Sequence, residues 1–202
     1  MRNFREVASM LDLSGINIGF AVTGSFCTFD AAFEQAELLV KLGAKLTPIM
    51  SANAYNTDTR FGEAGKRARE LSEICGVDII KTIAEAEPVG PSKMIDVMLV
   101  CPCTGNTAAK LANSITDTPV TMAVKSHIRN SRPAVLCIAT NDALAGSAKN
   151  IGSLMNLKAY YFVPMRQDDF KEKPTSLISD FKLVPEAIEA ALNGKQLQPF
   201  LL

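Results

Sequence analysis

The tripeptide Thr23-Gly24-Ser25 lies between an apolar run rich in Ile and a segment whose apolar residues have helical spacing. Its glycine permits close backbone approach, and two hydroxyls with free amide N–H groups near a helix start suit one phosphate. The tripeptide is neither G-x-G-x-x-G nor a P-loop, which disfavours a pyrophosphate or a nucleoside triphosphate. The same residues also suit an ordinary helix cap, so the tripeptide alone leaves both interpretations open.

Three further polar turns follow runs that are typical of buried strands. They are Ser51-Ala52-Asn53-Ala54, Pro102 to Thr107, and Ala139 to Asp142. In an open parallel sheet, ligands bind outside the carboxyl ends of the strands, and all four turns would share that edge. Their glycine, hydroxyl and amide groups therefore predict a pocket with phosphate-, hydroxyl- and amide-binding character.

Arg60 stands in the loop that runs from Ser51 to Glu63. Its planar guanidinium suits bidentate capture of a carboxylate at the mouth of the predicted pocket. A surface ion pair with Glu63, three residues further on, is an equally good interpretation. The sequence therefore leaves the role of Arg60 open between substrate binding and a surface contact.

Two other features invite a catalytic role, but a structural role is the better interpretation. His127 is the only histidine, and it falls near the end of a predicted helix, where a basic side chain complements the helix dipole. Cys101 and Cys103 lack a second Cys or His pair for zinc, and their spacing is not C-x-x-C. We therefore expect a buried Cys101, a Cys103 in a turn, reduced thiols throughout and no metal site.

The composition narrows the class of protein. The chain has 202 residues, 48% of them hydrophobic, which is enough for a single domain spanning 1–202. Lys plus Arg and Asp plus Glu number 21 each, so the net charge of +0 disfavours binding to nucleic acid or an anionic membrane. No apolar run approaches the ~20 residues of a membrane-spanning helix. Met1 to Asp12 lacks the apolar run of a secretory signal, so we predict a cytoplasmic protein.

Positioning the four turns at one edge requires parallel strands joined by helices. Five apolar runs predict strands buried on both faces: Ile16 to Val22, Lys45 to Ser51, Ile95 to Cys101, Ala134 to Thr140 and Ala159 to Val163. The predicted helices are Phe29 to Val40 with Gly43 as its stop, Glu63 to Cys75, Asn106 to Asn113, Pro119 to Ile128, Asp142 to Leu157, and one that follows Pro185 and ends before Gly194. This alternation predicts an α/β fold, a doubly wound parallel sheet in a three-layer α/β/α sandwich. The one long polar connection, Gln167 to Ser176, is expected to be either disordered or functional.

The turns also resemble a known family. Thr23-Gly24-Ser25 after the first strand, a Pro-x-x-x-Asn turn followed by Ala109 to Asn113 and Asp117, and the Asn141 turn resemble one group of flavoproteins. That group includes phosphopantothenoylcysteine decarboxylase, lantibiotic cysteine decarboxylases and the prenyl-flavin synthases. The resemblance implies FMN bound on a Rossmann-like, doubly wound fold.

Longer segments resemble one branch of this family, the B subunits of dipicolinate synthases. They are Asn56 to Glu63, Thr104 to Asn106, Ile128 to Pro133, Thr140 to Leu144, Gln167 to Asp169 and Gln196 to Pro199. They are spread over nearly the whole chain beyond its first dozen residues. The resemblance implies a protein that works beside the NADP-binding A subunit of dipicolinate synthase, oxidising dihydrodipicolinate to dipicolinate during sporulation.

The resemblance also implies which residues contact the cofactor. The FMN phosphate would be held by Thr23, Gly24, Ser25 and Ser51, and the ribityl chain and ring by Thr104, Gly105, Asn106, Thr140 and Asn141. Asn106 and Arg60 are the predicted contacts of a small dicarboxylate substrate. The decarboxylating members have a histidine after the second strand, and none occurs between Ser51 and Cys75. Cysteine decarboxylation is therefore doubtful, and no residue is assigned as a general base.

Assembly is a further implication of the resemblance. The related flavoproteins form trimers, or dodecamers built from trimers, with the flavin near the boundary between protomers. We therefore expect a trimer-based homo-oligomer that also recruits the A subunit. Two alternatives stay open: an FMN-dependent decarboxylase of the phosphopantothenoylcysteine decarboxylase type, and a non-catalytic structural subunit with a degenerate flavin site.

Overall fold

A computed structural model describes residues 11–202, in which seven strands form one mixed sheet. The strands are β1 (Asn17–Val22), β2 (Lys45–Met50), β3 (Val97–Cys103), β4 (Ala134–Thr140), β5 (Tyr160–Phe162), β6 (Met165–Arg166) and β7 (Leu177–Ser179). Their order across the sheet is β2-β1-β3-β4-β7-β6, and β5 pairs with β4 beside this path. The pairs among β1 to β5 are parallel, whereas β7 is antiparallel to both β4 and β6.

Helices connect the strands and cover both faces of the sheet. They are α1 (Phe29–Lys41), α2 (Ala52–Asn56), α3 (Ala64–Cys75), α4 (Ile83–Ala86), α5 (Gly105–Ala112), α6 (Pro119–Ile128), α7 (Ala148–Met155) and α8 (Val184–Leu192). Short 3₁₀ turns occupy Phe26–Thr28, Glu87–Val89 and Phe181–Leu183.

The hydrophobic core has two halves, one on each face of the sheet. Side chains of α1, α3 and α8 pack on one face, and those of α5, α6 and α7 pack on the other. Phe20 and Ala21, neighbours in β1, belong to different halves, as the two-residue period of a strand requires. This arrangement confirms the predicted three-layer α/β/α sandwich.

Local sequence signals explain where the main helices begin and end. Thr118 caps α6 through a reciprocal capping box with Thr121, and Pro119 occupies the first turn. The chain turns after α1 at Gly43, whose φ of +91° favours glycine. Gly76 ends α3 in the same left-handed region. These positions agree with the predicted boundaries to within about two residues.

Two predicted boundaries were wrong, and both errors lie near the carboxyl edge of the sheet. Strand β3 runs on through Cys103 because its pairing with β4 shifts between Val100 and Cys103, which adds Pro102 and Cys103 to the predicted strand. Cys103 is consequently fully buried in the strand and does not lie in a turn. Helix α7 begins at Ala148 and not at Asp142, because the Asp142 carboxylate accepts hydrogen bonds within the preceding turn.

The sheet is also less uniform than predicted. The antiparallel pair β6–β7 brackets the polar segment Gln167 to Ser176 and brings both of its ends back to the sheet. Strands of two and three residues are too short for a periodic pattern, so nothing in the sequence signals them.

No helix within residues 11–202 is long and apolar enough to cross a membrane. The prediction about Met1 to Asp12 falls mostly on residues 1–10, which lie outside the described part of the chain.

Candidate functional site

The carboxyl edge of the sheet opens onto two adjoining hollows. We call the first, of about 270 Å³, the inner recess; it is lined by Thr23, Gly24, Ser51, Ala52, Asn53, Thr104, Asn106, Thr107, Lys110 and Thr118. We call the second, of about 420 Å³, the outer cleft; its lining includes Gly24 to Thr28, Phe61, Thr104 to Asn106, Ala139 to Asn141, Asp168, Lys173 and Ser176 to Ile178. The structure thus brings all four predicted polar turns to one site.

Thr23 fastens the ends of β1 and β3 together at the floor of this site. Its side chain is 1% exposed, and its Oγ1 donates to the carbonyl of Pro102 at 2.8 Å. The same oxygen accepts the amide N–H of Thr104 at 3.0 Å. Because these contacts occupy the hydroxyl, Thr23 fixes the positions of Gly24 and Thr104 and is not a free donor.

Ser25 differs from Thr23 because its hydroxyl has no hydrogen bond to the described residues. The carbonyl of Ser25 accepts from the backbone and the side chain of Thr28, which forms the short 3₁₀ turn before α1. Neither that turn nor α1 has a side-chain cap. Ser25 therefore occupies the N-cap position of the 3₁₀ turn without a side-chain cap bond, and its hydroxyl is available to a ligand.

Ser51 and Thr104 each cap the helix that follows their strand. Ser51 Oγ accepts the amide N–H of Ala54 at 3.3 Å, and Thr104 Oγ1 accepts that of Thr107 at 3.2 Å. The preceding amides in the first turn of α5, those of Gly105 and Asn106, have no intrahelical acceptor. The N-terminus of α5 therefore presents free N–H groups and the positive end of its dipole to the site.

The inner recess has the donor chemistry that a phosphate needs. Its polar groups are hydroxyls, amides and one ammonium, and no carboxylate lines it among the described residues. The ammonium is that of Lys110, which both carboxylate oxygens of Asp117 hold at 2.7 and 2.8 Å. Hydrogen-bond donors thus surround a space free of competing negative charge, so the donor set fits the phosphate of FMN.

The outer cleft combines flat apolar surface with amides. Phe26, Phe61 and Ile178 contribute apolar area to its lining, and Asn106 and Asn141 add exposed amide groups. Such a mixture suits a planar, heteroatom-bearing ring, because the apolar walls accept its faces and the amides accept or donate at its edge. This lining fits the ring of FMN.

Gly105 is required by the packing between α5 and the turn after β4. A Cβ at this position would lie 2.5 Å from Ser147 Oγ and 2.7 Å from Thr140 Oγ1. Both hydroxyls donate to Asp142 Oδ1, at 2.9 and 2.6 Å, and the bond from Thr140 is the largest influence lowering the pKa of Asp142. The Thr140 hydroxyl is thereby committed within the protein, and Ser147 is a supporting residue that the sequence pattern did not reveal.

Arg60 is exposed at the rim of the outer cleft. Its guanidinium lies 4.8 Å from the centroid of the Phe61 ring, which lines the cleft. Glu63 pairs with Lys66 at 3.3 Å and makes no ion pair with Arg60. The alternative of an Arg60–Glu63 ion pair is therefore wrong, and the carboxylate-binding role of Arg60 stays a prediction.

Arg67 holds the turn that carries Arg60 and Phe61. Its guanidinium donates to the carbonyl of Phe61 at 3.0 Å and pairs with Asp30 at 2.5 Å and with Glu70 at 3.0 Å. A Cβ on Gly62 would lie 2.9 Å from Arg67 Nε, so the turn closes tightly around this side chain. Arg67 lies four residues after Glu63 on a helix, where sequence reasoning had no reason to select it.

His127 and the buried cysteines lie away from the two hollows. His127 is 1% exposed, its Nε2 lies 2.9 Å from the carbonyl of Pro133, and burial lowers its pKa. Cys101, Cys103 and Cys137 are buried, and burial raises the pKa of the Cys101 and Cys103 thiols. His127 is therefore held in a structural contact away from the site, and its lowered pKa disfavours the charged ring that would complement a helix dipole.

The Rossmann-like α/β sandwich, with a recess suited to a phosphate at its strand ends, defines a class of protein fold. The sequence comparison agrees with this class. The chain belongs to the flavoprotein family, whose family model, described as Flavoprotein, matches residues 6–187.

Individual relatives show which members of this family the chain is similar to. The chain is 46% identical over 193 residues to the dipicolinate synthase B subunit of Bacillus subtilis (strain 168), with 96% of each chain covered. The crystal structure of the dipicolinate synthase B subunit from Bacillus halodurans matches with a TM-score of 0.87 at 43% identity, covering 95% of this chain and 98% of that one. The FMN-dependent cysteine decarboxylase SpaF shares the fold, with a TM-score of 0.65 at 22% identity over 90% of this chain and 97% of its own. The resemblance drawn from the sequence is thereby confirmed.

Proposed function

We propose that this chain binds FMN across the inner recess and the outer cleft and works as the B-type subunit of a dipicolinate synthase. In this proposal it acts with an NADP-binding A subunit to oxidise dihydrodipicolinate to dipicolinate, in the cytoplasm during sporulation. The names of the two relatives above 40% identity support the reaction, and the family supports a flavin.

The observation that best supports FMN binding is the set of hydrogen-bond donors around the inner recess. The Gly24 backbone, the Ser51 hydroxyl and the free amide of Asn106 line this recess, which has no carboxylate among its described lining residues, and Ser25 and Gly105 lie beside it in the lining of the outer cleft. Thr23 and Thr104 act by holding these donors in place, because their own hydroxyls already donate to Pro102 and Thr107, whereas Ser51 Oγ only accepts from Ala54 and keeps its hydrogen free for a ligand. One anionic group fits, which favours FMN, with its single phosphate, over FAD or NAD.

The chemistry of the reaction is the loss of two electrons and two protons from a dihydropyridine ring. Bound FMN supplies an acceptor for a hydride equivalent. The chain's own residues then bind and orient: Asn106 and Asn141 offer amides at the edge of the outer cleft, and Arg60 offers a guanidinium for one substrate carboxylate. Phe61 supplies an apolar wall that excludes water from one side.

One alternative is a non-catalytic structural subunit with a degenerate flavin site. It is favoured by the internal hydrogen bonds of three hydroxyls that the resemblance assigned to FMN, since those of Thr23, Thr104 and Thr140 all donate within the protein. A stand-alone FMN-dependent decarboxylase is the weaker alternative, because no histidine follows β2 before Cys75. The single-domain organisation over 1–202 and a trimer-based oligomer are part of the main proposal.

An absorbance spectrum of the purified chain with added FMN separates these functions. We expect FMN to bind and its visible bands to shift, and we expect dipicolinate synthesis only when the A subunit is added. A chain that leaves the FMN spectrum unchanged would support the non-catalytic alternative. Dipicolinate synthesis by the chain alone would contradict the requirement for the A subunit, and light scattering showing a monomer would contradict the oligomer.

A further inference from the structure

The outer cleft carries one ion pair that the cofactor does not explain. Among the described residues that line this cleft, Lys173 is the only cation and Asp168 the only carboxylate. Lys173 Nζ lies 3.3 Å from Asp168 Oδ2, with side chains that are 53% and 27% exposed. Because both residues belong to the lining of the cleft, a ligand that enters the cleft would meet the pair.

The backbone that carries Lys173 is held firmly on both sides. The amide of Lys173 donates to the carbonyl of Asp169 at 2.8 Å, and its own carbonyl accepts from the amide of Ser176 at 3.0 Å. The next residues are tied to the turn after β4, since Thr175 Oγ1 donates to the carbonyl of Asn141 at 2.7 Å. The base of the Lys173 side chain is therefore fixed over the cleft, while its four-carbon stem leaves the ammonium free to change partner.

The two lysines of the site differ in how tightly they are paired. Lys110, in the inner recess, is held by both oxygens of Asp117 at 2.7 and 2.8 Å, and its side chain is 22% exposed. Lys173 has a single contact at 3.3 Å, longer than a strong charge-assisted hydrogen bond, and is more exposed. Exposed ion pairs of this kind contribute little to stability, so exchange of the partner costs little.

A carboxylate of the proposed substrate could replace Asp168 as the partner of Lys173. This step rests on the proposed function, in which the ring entering the outer cleft carries two carboxylates. Arg60, stacked on Phe61 in the loop before α3, offers a cation to one of them. A second carboxylate needs a second cation, and the segment between β6 and β7 provides one.

We propose that Lys173 binds the second carboxylate of the dicarboxylate substrate and that Asp168 holds the ammonium until the substrate replaces it. The pair then makes the cleft selective for a diacid, because a monoacid cannot engage both Arg60 and Lys173. Although partial burial raises it, the pKa of Asp168 is lowered overall by hydrogen bonds with Ser176 and Lys173, which keeps the carboxylate ionised at neutral pH. Asp168 thus remains a competitor that only another anion displaces.

The test uses the full-length chain saturated with FMN and titrated with dipicolinate or with picolinate, which lacks one carboxylate. The variant is Lys173→Met, and the matched control is Lys171→Met, whose ammonium lies 6.0 Å from the Phe170 ring and outside the cleft lining. We expect Lys173→Met to reduce the preference for dipicolinate over picolinate about 10-fold, with unchanged affinity for FMN. Lys171→Met should change neither quantity. Asp168→Asn should bind dipicolinate a few-fold more tightly, because the competing carboxylate is gone.

The possible results separate this inference from the proposed function. If wild-type protein binds FMN and dipicolinate while Lys173→Met keeps the full preference for the diacid, the inference is wrong and the proposed function stands. If Lys173→Met loses affinity for FMN, Lys173 serves the cofactor and the inference is again wrong. Weaker dipicolinate binding by Asp168→Asn would contradict the proposal that a substrate carboxylate replaces Asp168 as the partner of Lys173. Wild-type protein that binds neither ligand would overturn the proposed function together with the inference.

Discussion

The inner recess and the outer cleft share Gly24, Thr104 and Asn106 but are built in different ways. The recess consists of strand ends and helix starts, where the Thr23 hydroxyl joins β1 to β3 and Thr104 caps α5. The outer rim depends on long side chains of two loops, Arg60 and Lys173, one stacked on an aromatic ring and the other in a loose ion pair. In the proposed function, backbone geometry positions the phosphate of FMN, while the side chains of the rim contact the substrate.

The largest effect is expected from placing a negative charge at Ser25, next to Gly24, which lines both hollows. Ser25→Asp puts a carboxylate where the phosphate of FMN would bind, and like charges within about 4 Å at the surface repel by several kcal/mol. We expect FMN affinity to fall at least about 100-fold. Ser25→Ala removes a single hydrogen bond and should lower FMN affinity only about 2- to 10-fold.

Fluorescence titration of FMN measures both Ser25 variants, and circular dichroism confirms that each is folded. Unchanged flavin retention in Ser25→Asp would move the phosphate out of the inner recess. It would also remove the contrast between a cofactor recess and a substrate rim.

Gly105→Ala tests whether the backbone of the recess tolerates movement. The new Cβ would lie 2.5 Å from Ser147 Oγ, so the start of α5 must shift. Overpacking of this kind costs about 1–3 kcal/mol, and we expect FMN affinity to fall about 10-fold with it. Gly152→Ala in α7 is the control, because its Cβ would meet nothing within 4 Å and alanine favours a helix. Equal behaviour of the two variants in urea unfolding and FMN titration would contradict the close packing of Gly105.

Thr23→Val tests whether the Thr23 hydroxyl holds β1 and β3 together or contacts the ligand. Valine keeps the shape of threonine but leaves the Thr104 amide and the Pro102 carbonyl without the hydroxyl. An unsatisfied buried group costs about 1–3 kcal/mol, so the urea midpoint should fall even in the absence of FMN. If stability is unchanged while FMN affinity falls, the Thr23 hydroxyl contacts the ligand and our description of its role is wrong.

Arg60→Lys should have the smallest effect, and only at the rim. The variant keeps the charge and loses the planar guanidinium, so binding of a carboxylate becomes monodentate. We expect the KM of the reconstituted complex for dihydrodipicolinate to rise about 3- to 10-fold with unchanged affinity for FMN. A KM equal to that of the wild-type enzyme would leave Arg60 without a role in substrate binding.

The contrast between backbone geometry and side-chain contacts also explains how much of the fold and of the site could be predicted from the sequence. The alternation of apolar runs and helical segments predicted the sandwich and placed four polar turns at one edge, because burial on both faces leaves a strong pattern. The pattern did not show which hydroxyls are free. Thr23 and Ser25 look alike in a sequence, but only the structure shows that one is bonded to Pro102 and Thr104 and that the other is not.

Residues that support the site from a distance were beyond sequence reasoning. Ser147 and Arg67 act through contacts with Gly105 and Phe61 that depend on tertiary packing. Cys103 was misplaced for a related reason, since a shift in strand pairing leaves no mark in composition or spacing. The edge of the sheet that carries the site can be predicted from the alternation of strands and helices. The hydrogen bonds of each side chain depend on its tertiary neighbours.

Strand β4 pairs with β3 along one edge and divides its other edge between two partners. Its first half pairs in parallel with β5 at Ala134 to Leu136, and its last two residues pair antiparallel with β7 at Ile178 and Leu177. The β6–β7 hairpin is joined to β4 by a ladder of two residue pairs and by the hydrogen bonds that Thr175 makes with Asn141 and Leu144 of the turn after β4. Fewer backbone hydrogen bonds therefore hold it than hold the parallel strands β1 to β5. Native-state hydrogen exchange should show amides of residues 165–179 opening at lower free energy than those of β1, which would make this hairpin a separate cooperative unit. Opening of this hairpin would leave the parallel strands β1 to β5 paired.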